Sequence, residues 1–343
     1  MAGGSAACSM SAGAAGKSEF ATPPWQKNHE GDCRRVGIEL EMAGIEPADM
    51  AAAVTTVLGG TIERKSAFHT RVRDTELGEF NIELDADILK NRGYQKALSE
   101  VGIDLGKGQT RDTLESALSR VAGLVVPLEL VGPPVAWTEL PRLDQIRLEL
   151  HRAGARGTQA STFYAFGMQL NIEVASLEAD HLLAMLRAFL LKYDWLLERS
   201  RVDLSRRISP YIQPYPDDYV AHILDPDYAP NMDQLIADFL RLTPTRNRPL
   251  DMLPLFAHID RERVMDAPVE KDLIKSRPAF HYRLPNCLID ESDWSLALAW
   301  NDWIAVERLA ADKTELNRTL QQRARRPGLL GQALGAIGQL LGR

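Results

Sequence analysis

Four short segments of the chain place polar side chains at every second position, with mostly apolar residues between them. In a strand, alternate residues lie on the same face, so each segment would present one polar face. The polar positions are Glu39 and Glu41, then Glu83, Asp85 and Asp87, then Gln169, Asn171 and Glu173, and finally His281 and Arg283. If the four strands share one sheet, this face forms a concave floor of carboxylates and amides with a cationic end.

Such a floor of neighbouring carboxylates would favour the binding of a metal ion. Buried acids repel one another and are costly without a compensating charge, so they commonly bind a hard divalent cation. Mg²⁺ is usually held by a few carboxylates together with nucleotide phosphates, and a nearby arginine suits a phosphoryl group. Glu129 joins this set because it is an acid inside the apolar segment 128–131.

The alternative interpretation is that these polar faces are exposed to water, as on many antiparallel sheets. A wholly solvated acidic face would repel itself, which makes four such strands in one chain harder to explain in this way. The group of Glu83, Asp85 and Asp87 supports a metal site least, because it lies near a predicted hairpin end. Glu129 supports it more, because an acid buried in an apolar strand needs a partner.

Hydrophobic periodicity predicts the elements that must position these side chains. Strands are expected over residues 36–42, 61–73, 79–87, 125–131, 163–174 and 280–284. Helices are expected over residues 47–58, 110–124, 138–153, 177–199 and 294–323. The second and third strands should form a hairpin that turns around Leu77 and Gly78. Residues 200–275 are expected to form loops with short helices.

The irregular alternation of strands and helices predicts an α+β fold with a mainly antiparallel sheet, rather than a doubly wound parallel sheet. Neither GxGxxG nor GxxxxGK[ST] occurs, so no Rossmann or P-loop phosphate site is expected. We predict one domain over residues 34–322, after a disordered lead-in over 1–33. A basic and then apolar, Gly-rich tail over 323–343 could stay loosely ordered, pack on the core, contact another subunit in a homo-oligomer, or lie on a membrane surface.

Composition excludes several function classes. The chain has 343 residues, 45% hydrophobic and 25% charged, with a net charge of -7, which disfavours a nucleic-acid partner. No apolar run reaches the ~20 residues that would cross a bilayer, and the N-terminus lacks the pattern of a signal peptide. Cys8, Cys33 and Cys287 form no CxxC pair, so neither a zinc site nor a disulfide framework is indicated. A reducing cytoplasm is the expected location.

Five motifs, in order along residues 36–285, together resemble one known family. They are Gly37-Ile38-Glu39-Leu40-Glu41 as a GxExE strand, Arg73-Asp74-Thr75 as a strand that ends in Asp, Glu129-Leu130-Val131-Gly132-Pro133-Pro134, Gly167-Met168-Gln169-Leu170-Asn171, and His281-Tyr282-Arg283. This order is similar to that of the amidoligase branch of the glutamine synthetase/glutamate–cysteine ligase superfamily. The resemblance implies a curved, mainly antiparallel sheet with helices on one face, like the catalytic domain of glutamine synthetase.

The same resemblance implies an enzyme that joins a carboxylate to an amine or ammonia. ATP, held with Mg²⁺ on the polar face, phosphorylates a small-molecule or peptide carboxylate, and the amine then displaces phosphate. The implied metal ligands are Glu39, Glu41, Glu129 and His281. Gln169, Asn171 and Arg283 would lie near ATP. The implied catalytic residues are Arg283, Arg277 and Asp74.

Two positions depart from the family pattern. Gln169 stands where the family has histidine, and His281 stands where it has the Glu of Glu-x-Arg. Imidazole matches Mg²⁺ less well than carboxylate does, so the site could hold fewer ions or prefer Mn²⁺. Besides the ligase, two hypotheses stay open: a phosphotransferase of the same fold group, and a non-catalytic relative that binds a nucleotide or peptide.

Overall fold

The polar segments lie in one antiparallel sheet, and the chain around them is α+β. The computed structural model describes Cys8 and residues 19–66, 69–84, 128–158, 166–200 and 212–325. Strands are β1 Arg35–Met42, β2 Thr61–Arg64, β3 His69–Thr75, β4 Gly78–Leu84, β5 Leu128–Val131, β6 Val135–Ala136, β7 Met168–Glu173, β8 Leu250–Asp251 and β9 Ala279–Tyr282. The predicted class and the mainly antiparallel sheet are confirmed.

The strand order brings the N-terminal strand to the middle of the sheet. Among the described residues the order is β2-β3-β4-β5-β1-β7-β9-β8, with β6 paired to the start of β1. Each of these neighbouring pairs is antiparallel. Consequently β1, which carries Glu39 and Glu41, lies between β5 with Glu129 and β7 with Gln169.

Helices cover the apolar face of the sheet. They are α1 Pro47–Leu58, α2 Leu140–Arg152, α3 Ala179–Leu191, α4 Tyr193–Arg199, α5 Asp217–Ile223, α6 Met232–Leu242, α7 Leu253–Ile259, α8 Arg261–Asp266, α9 Leu296–Ala311 and α10 Lys313–Ala324. Single turns of 3-10 helix cover Trp137–Glu139 and Lys271–Leu273. Helix α1 contacts β3 and β4, and α7 contacts β9. None of the described helices is long and apolar enough to span a membrane.

The alternation of the strands separates the two faces of the sheet. Ile38 pairs with Leu170, which pairs with Tyr282, and all three are at most 1% exposed. These side chains belong to the continuous core beneath the helices. The intervening positions of the same strands, which carry the glutamates and amides, lie on the opposite face.

Several predicted elements have different bounds in the structure. The strand predicted over 61–73 is two paired strands, β2 and β3, because the chain reverses at Lys65 and Ser66, whose N–H groups bond to His69 O. The helix predicted over 294–323 ends at Ala311 and restarts after Asp312, whose carboxylate caps α10 by accepting from Glu315 N. The helix predicted over 177–199 is divided into α3 and α4. The helix predicted over 110–124 lies outside the described residues.

Part of the predicted lead-in packs on the domain. Phe20 is buried, and the backbone of Ala21 bonds with side chains of Asn301 and Trp300 on α9. Cys8 and Cys33 form a disulfide, so the expectation of no disulfide was wrong. Spacing rules such as CxxC detect only local pairs, and these cysteines are 25 residues apart. Disulfides are rare in the reducing cytoplasm, so this bond weakens the argument for the predicted cytoplasmic location.

Candidate functional site

A row of acidic residues crosses the polar face of the sheet. Glu41 on β1 is paired in register with Glu129 on β5, and Glu129 is paired with Glu83 on β4. Glu83 is in turn paired with His69 on β3. Directly opposite residues in an antiparallel pair share a face and lie about 5 Å apart. The register therefore places three carboxyl groups side by side on one half-buried surface.

Glu39 lies two residues before Glu41 on β1 and interacts with Glu129 of this row. The carboxyl groups of Glu39 and Glu129 are hydrogen-bonded to each other. Burial raises the pKa of Glu39, but the charges of His281 and Arg277 and the hydrogen bonds from Asn171 and Glu129 outweigh burial and hold that pKa below its usual value.

The two amides of β7 each bind one glutamate of β1. Asn171 donates from Nδ2 to Glu39 Oε1 at 2.7 Å, and Gln169 donates from Nε2 to Glu41 Oε1 at 3.0 Å. The other carboxylate oxygen of Glu41 accepts from the backbone N–H of Gly167 at 2.7 Å. The amides predicted to approach ATP phosphates therefore orient the acidic side chains in this structure.

His281 is enclosed between two polar side chains. It is 2% exposed, with Nδ1 3.2 Å from Asp251 Oδ2 and Nε2 2.6 Å from Gln169 Oε1. Burial lowers the pKa of His281, although the hydrogen bond to Asp251 and the charge of Glu39 act to raise it. Both ring nitrogens thus face protein atoms, and the predicted role of His281 as a metal ligand is not visible in this arrangement.

A group of arginines borders the carboxylates on the β9 side. Arg277 donates to Asn171 Oδ1 at 2.5 Å. Burial lowers the pKa of Arg277, Glu39 and Asp251 raise it, and the charges of Arg246 and Arg283 lower it further. These guanidinium groups therefore lie close enough to repel one another. Among the described residues, the buried Nε atom of Arg277 has no hydrogen-bond partner, which is a feature suited to an anion.

The loop that carries Arg246 is held in place by an acid. Glu270 accepts from Thr245 Oγ1 at 2.7 Å and from Arg246 N at 3.1 Å. Arg283, which is 5% exposed, donates to the carbonyl of Arg246 at 3.1 Å. The arginine group is therefore positioned by the fold before any ligand is bound.

The comparison with known families identifies one family for this chain. A family model described as "Putative amidoligase enzyme" matches residues 32–305, a span that includes every side chain of the site. The chain belongs to this family. No curated protein and no solved structure matches the chain. The family name is that of a ligase, which agrees with the predicted enzyme class, while placement beside glutamine synthetase and glutamate–cysteine ligase stays a prediction.

Most of the predicted amidoligase residues converge, but one does not. Glu39, Glu41, Glu129, Gln169, Asn171, Arg277, His281 and Arg283 lie on or beside the same polar face. Asp74 lies apart: it is exposed, and its strand β3 is separated from β1 by β4 and β5. Its φ of 57° belongs to a bulge beside the hairpin turn. Asp85 and Asp87 lie outside the described residues.

Glu173 shares this face of β7 but has a structural role. It is 6% exposed and pairs with Arg35 at 2.7 Å. It also accepts a hydrogen bond from Asn28 at 3.3 Å. These contacts tie the N-terminal segment to the sheet, away from the carboxylate row.

The donor chemistry of the site fits Mg²⁺, although its geometry would have to adjust. Glu39, Glu41 and Glu129 supply hard oxygen donors on two neighbouring strands, where a cation could compensate their charge. As the side chains stand, no three His, Cys, Asp or Glu groups of the described residues are arranged as a metal site. Movement of the carboxylate side chains would therefore have to accompany binding.

Sequence reasoning missed one member of the site, Asp251, and favoured solvated loop charge over substrate binding for another, Arg246. Both lie in residues 200–275, which their composition assigned to loops. Asp251 follows Leu250 and precedes Met252, so it is an acid inside an apolar run. The same signal had identified Glu129, and applied here it would have found Asp251. Arg246 carries no comparable signal, because its position depends on the folded loop.

Proposed function

We propose that the chain is an ATP-dependent ligase that joins a carboxylate to an amine or ammonia through an acyl phosphate. The observation that carries this proposal is that Glu39, beside the carboxylate row, is linked through one amide to the arginine group on the same face of the sheet. The connection runs from Glu39 through Asn171 to Arg277 over two hydrogen bonds. A cation-binding surface beside an anion-binding one is what a metal-bound nucleotide requires.

The proposed reaction has two steps. A substrate carboxylate is a poor electrophile because it is anionic and has no good leaving group. Its oxygen attacks the terminal phosphorus of ATP, which forms the acyl phosphate and releases ADP. The amine then attacks the acyl carbon, forms the C–N bond, loses a proton and displaces phosphate. Since acyl phosphates hydrolyse readily, the site must exclude water until the amine binds.

The residues of the site would bind two groups of opposite charge, the phosphoryl group and the metal ion. Arg277, Arg246 and Arg283 would bind the phosphoryl group and stabilise the charge that develops on it. Glu39, Glu41 and Glu129 would hold Mg²⁺ or Mn²⁺, which neutralises the triphosphate when bound. Gln169 and Asn171 would keep the carboxylates of β1 oriented towards the polar face.

Thermal stabilisation by ATP, with and without Mg²⁺, is the first test. A ligand that binds the folded state alone raises the melting temperature, and here we expect a rise that requires both components. Glu41→Ala should remove the metal-dependent part, while the exposed Glu315→Gln should retain it. If ATP gives no shift in either condition, both the ligase and the phosphotransferase are excluded, and a non-catalytic relative remains.

Product analysis then separates the two enzymes. With pools of carboxylic acids and amines, a ligase releases ADP and free phosphate only when both substrates are present. A phosphotransferase instead releases ADP with a single substrate and retains the phosphate on it. ADP release without any amine dependence, together with a stable phosphorylated product, would contradict the ligase proposal.

A further inference from the structure

Two hydrogen-bonded chains run in parallel across the sheet to the two glutamates of β1. One runs from Arg277 through Asn171 to Glu39. The other runs from Asp251 through His281 and Gln169 to Glu41. The second chain differs in burial, because Asp251, His281 and Gln169 are only 1%, 2% and 7% exposed. Its inner members therefore cannot contact a large substrate directly.

The orientation of the Gln169 amide is fixed from both ends. Its nitrogen is 3.0 Å from Glu41 Oε1 and must donate there, because the reversed amide would set two oxygens against each other. Its oxygen then faces His281 Nε2 at 2.6 Å and can only accept, so the ring donates through Nε2. A rotation of the ring would therefore release Gln169, and Glu41 Oε1 would lose the hydrogen bond that Gln169 donates to it.

Asp251 holds the ring on its other side. One carboxylate oxygen lies 3.2 Å from His281 Nδ1, and the other accepts from the backbone N–H of Leu253 at 3.0 Å. Asp251 lies on β8, which is paired with β9, and Leu253 begins α7. The chain of contacts thus starts at rigid backbone next to α7 and ends at Glu41 on β1.

We infer that Asp251 and His281 are positioning residues, which hold the Gln169 amide so that the Glu41 carboxylate stays aimed at the metal, and that His281 is not itself a metal ligand. The inference rests on the proposed function only in taking Glu41 as a ligand. Partners behind metal ligands commonly set metal affinity by tenfold to a hundredfold. Asp251 would thereby influence metal binding through three successive contacts, which link it to His281, His281 to Gln169, and Gln169 to Glu41.

The test uses the different reach of two amide side chains. In His281→Gln, the amide nitrogen can occupy the place of Nε2 and still donate to Gln169. In His281→Asn, the amide reaches only the place of Nδ1 and leaves Gln169 without its donor. Measured with Mn²⁺ by paramagnetic resonance, we expect His281→Asn and Asp251→Asn to weaken metal binding roughly tenfold or more, and His281→Gln to weaken it less. The control is His222→Gln, which makes the same substitution at another histidine that faces an aspartate, with Nε2 3.0 Å from Asp238.

A second readout does not depend on metal. In protein labelled with ¹⁵N-glutamine, the side-chain amide signal of Gln169 should move in His281→Asn and in Asp251→Asn, and should stay in His222→Gln. An unmoved Gln169 signal in both variants overturns the inference, whatever happens to Mn²⁺. Equal loss of Mn²⁺ binding in His281→Gln and His281→Asn, with the Gln169 signal kept in the former, would make the ring a direct ligand and also overturns it. If the wild type binds no Mn²⁺ while the signal moves as expected, the metal part of the proposed function fails and the positioning role stands.

Discussion

Glu39 and Glu129 are hydrogen-bonded carboxyl to carboxyl between two neighbouring strands of the sheet. This contact joins the two residues that their sequence motifs separately marked as acids in apolar strands. An amide at position 129 could keep this hydrogen bond to Glu39 but would be a poor ligand for a metal ion.

Glu129→Gln should separate folding from metal binding. The new amide can donate to the Glu39 carboxylate, so we expect the free energy of unfolding without metal to change by no more than about 1 kcal/mol. The amide is a weak ligand, so the stabilisation that ATP gives in the presence of Mg²⁺ should be lost. Urea unfolding and thermal melting of the same sample measure both quantities. Full retention of metal-dependent stabilisation would remove Glu129 from the ligand set.

Arg277→Lys should impair catalysis while leaving the fold intact. Lysine keeps the positive charge but cannot both hold Asn171 and offer the planar set of donors that a phosphoryl group accepts. We expect kcat to fall by about 100-fold or more, in line with the loss of one donor to a developing anion. The matched control is Arg318→Lys, an exposed arginine paired with Glu315 on α10. Equal kcat values for the two variants would show that Arg277 does not contact the reacting group.

The polar face was predictable because strand alternation is a local property. Glu39 and Glu41 had to share a face once β1 was recognised, and the same rule applied to Gln169 and Asn171. The resemblance to a family supplied the order of these motifs. By contrast, the pairing of Glu129 with both Glu41 and Glu83 depends on strand order, which alternation does not encode.

The surroundings of the predicted site residues depend on tertiary contacts, which the sequence does not show. His281 matched the position of a family ligand, yet the fold places Asp251 and Gln169 against both of its ring nitrogens. Asp74 matched a motif, yet two strands separate its strand from β1. A motif fixes the residue type and the order along the chain, whereas a site requires the neighbours that only packing provides.

His181 should make the stability of the protein depend on pH. Burial, with a smaller effect from the charge of Arg34, lowers the pKa of His181 from 6.5 to about 4. The unfolded chain therefore binds a proton more readily than the folded one, so stability falls as the pH drops below 6.5 and stops falling on this account below about 4. The full effect is about 3 kcal/mol. Urea unfolding at several pH values should show a smaller loss for His181→Gln than for the wild type or His222→Gln.

The buried ion pair between Arg34 and Glu307 should be the strongest link between the N-terminal segment and α9. Arg34 contacts both carboxylate oxygens, at 2.9 Å and 2.5 Å, and the side chains are 2% and 1% exposed. Trp303 also donates to Glu307 at 2.7 Å. Removing one partner leaves a buried charge uncompensated, so Arg34→Met should cost about 3–5 kcal/mol of unfolding free energy.

The double variant Arg34→Met with Glu307→Leu tests the reason for that cost. Replacing both charges by apolar side chains removes the uncompensated charge, so much of the lost stability should return even though the ion pair is gone. Urea unfolding of the wild type, both single variants and the double variant gives the coupling between the two positions. If the double variant is as unstable as the sum of the single ones, the cost comes from lost packing around β1 and α9 rather than from charge.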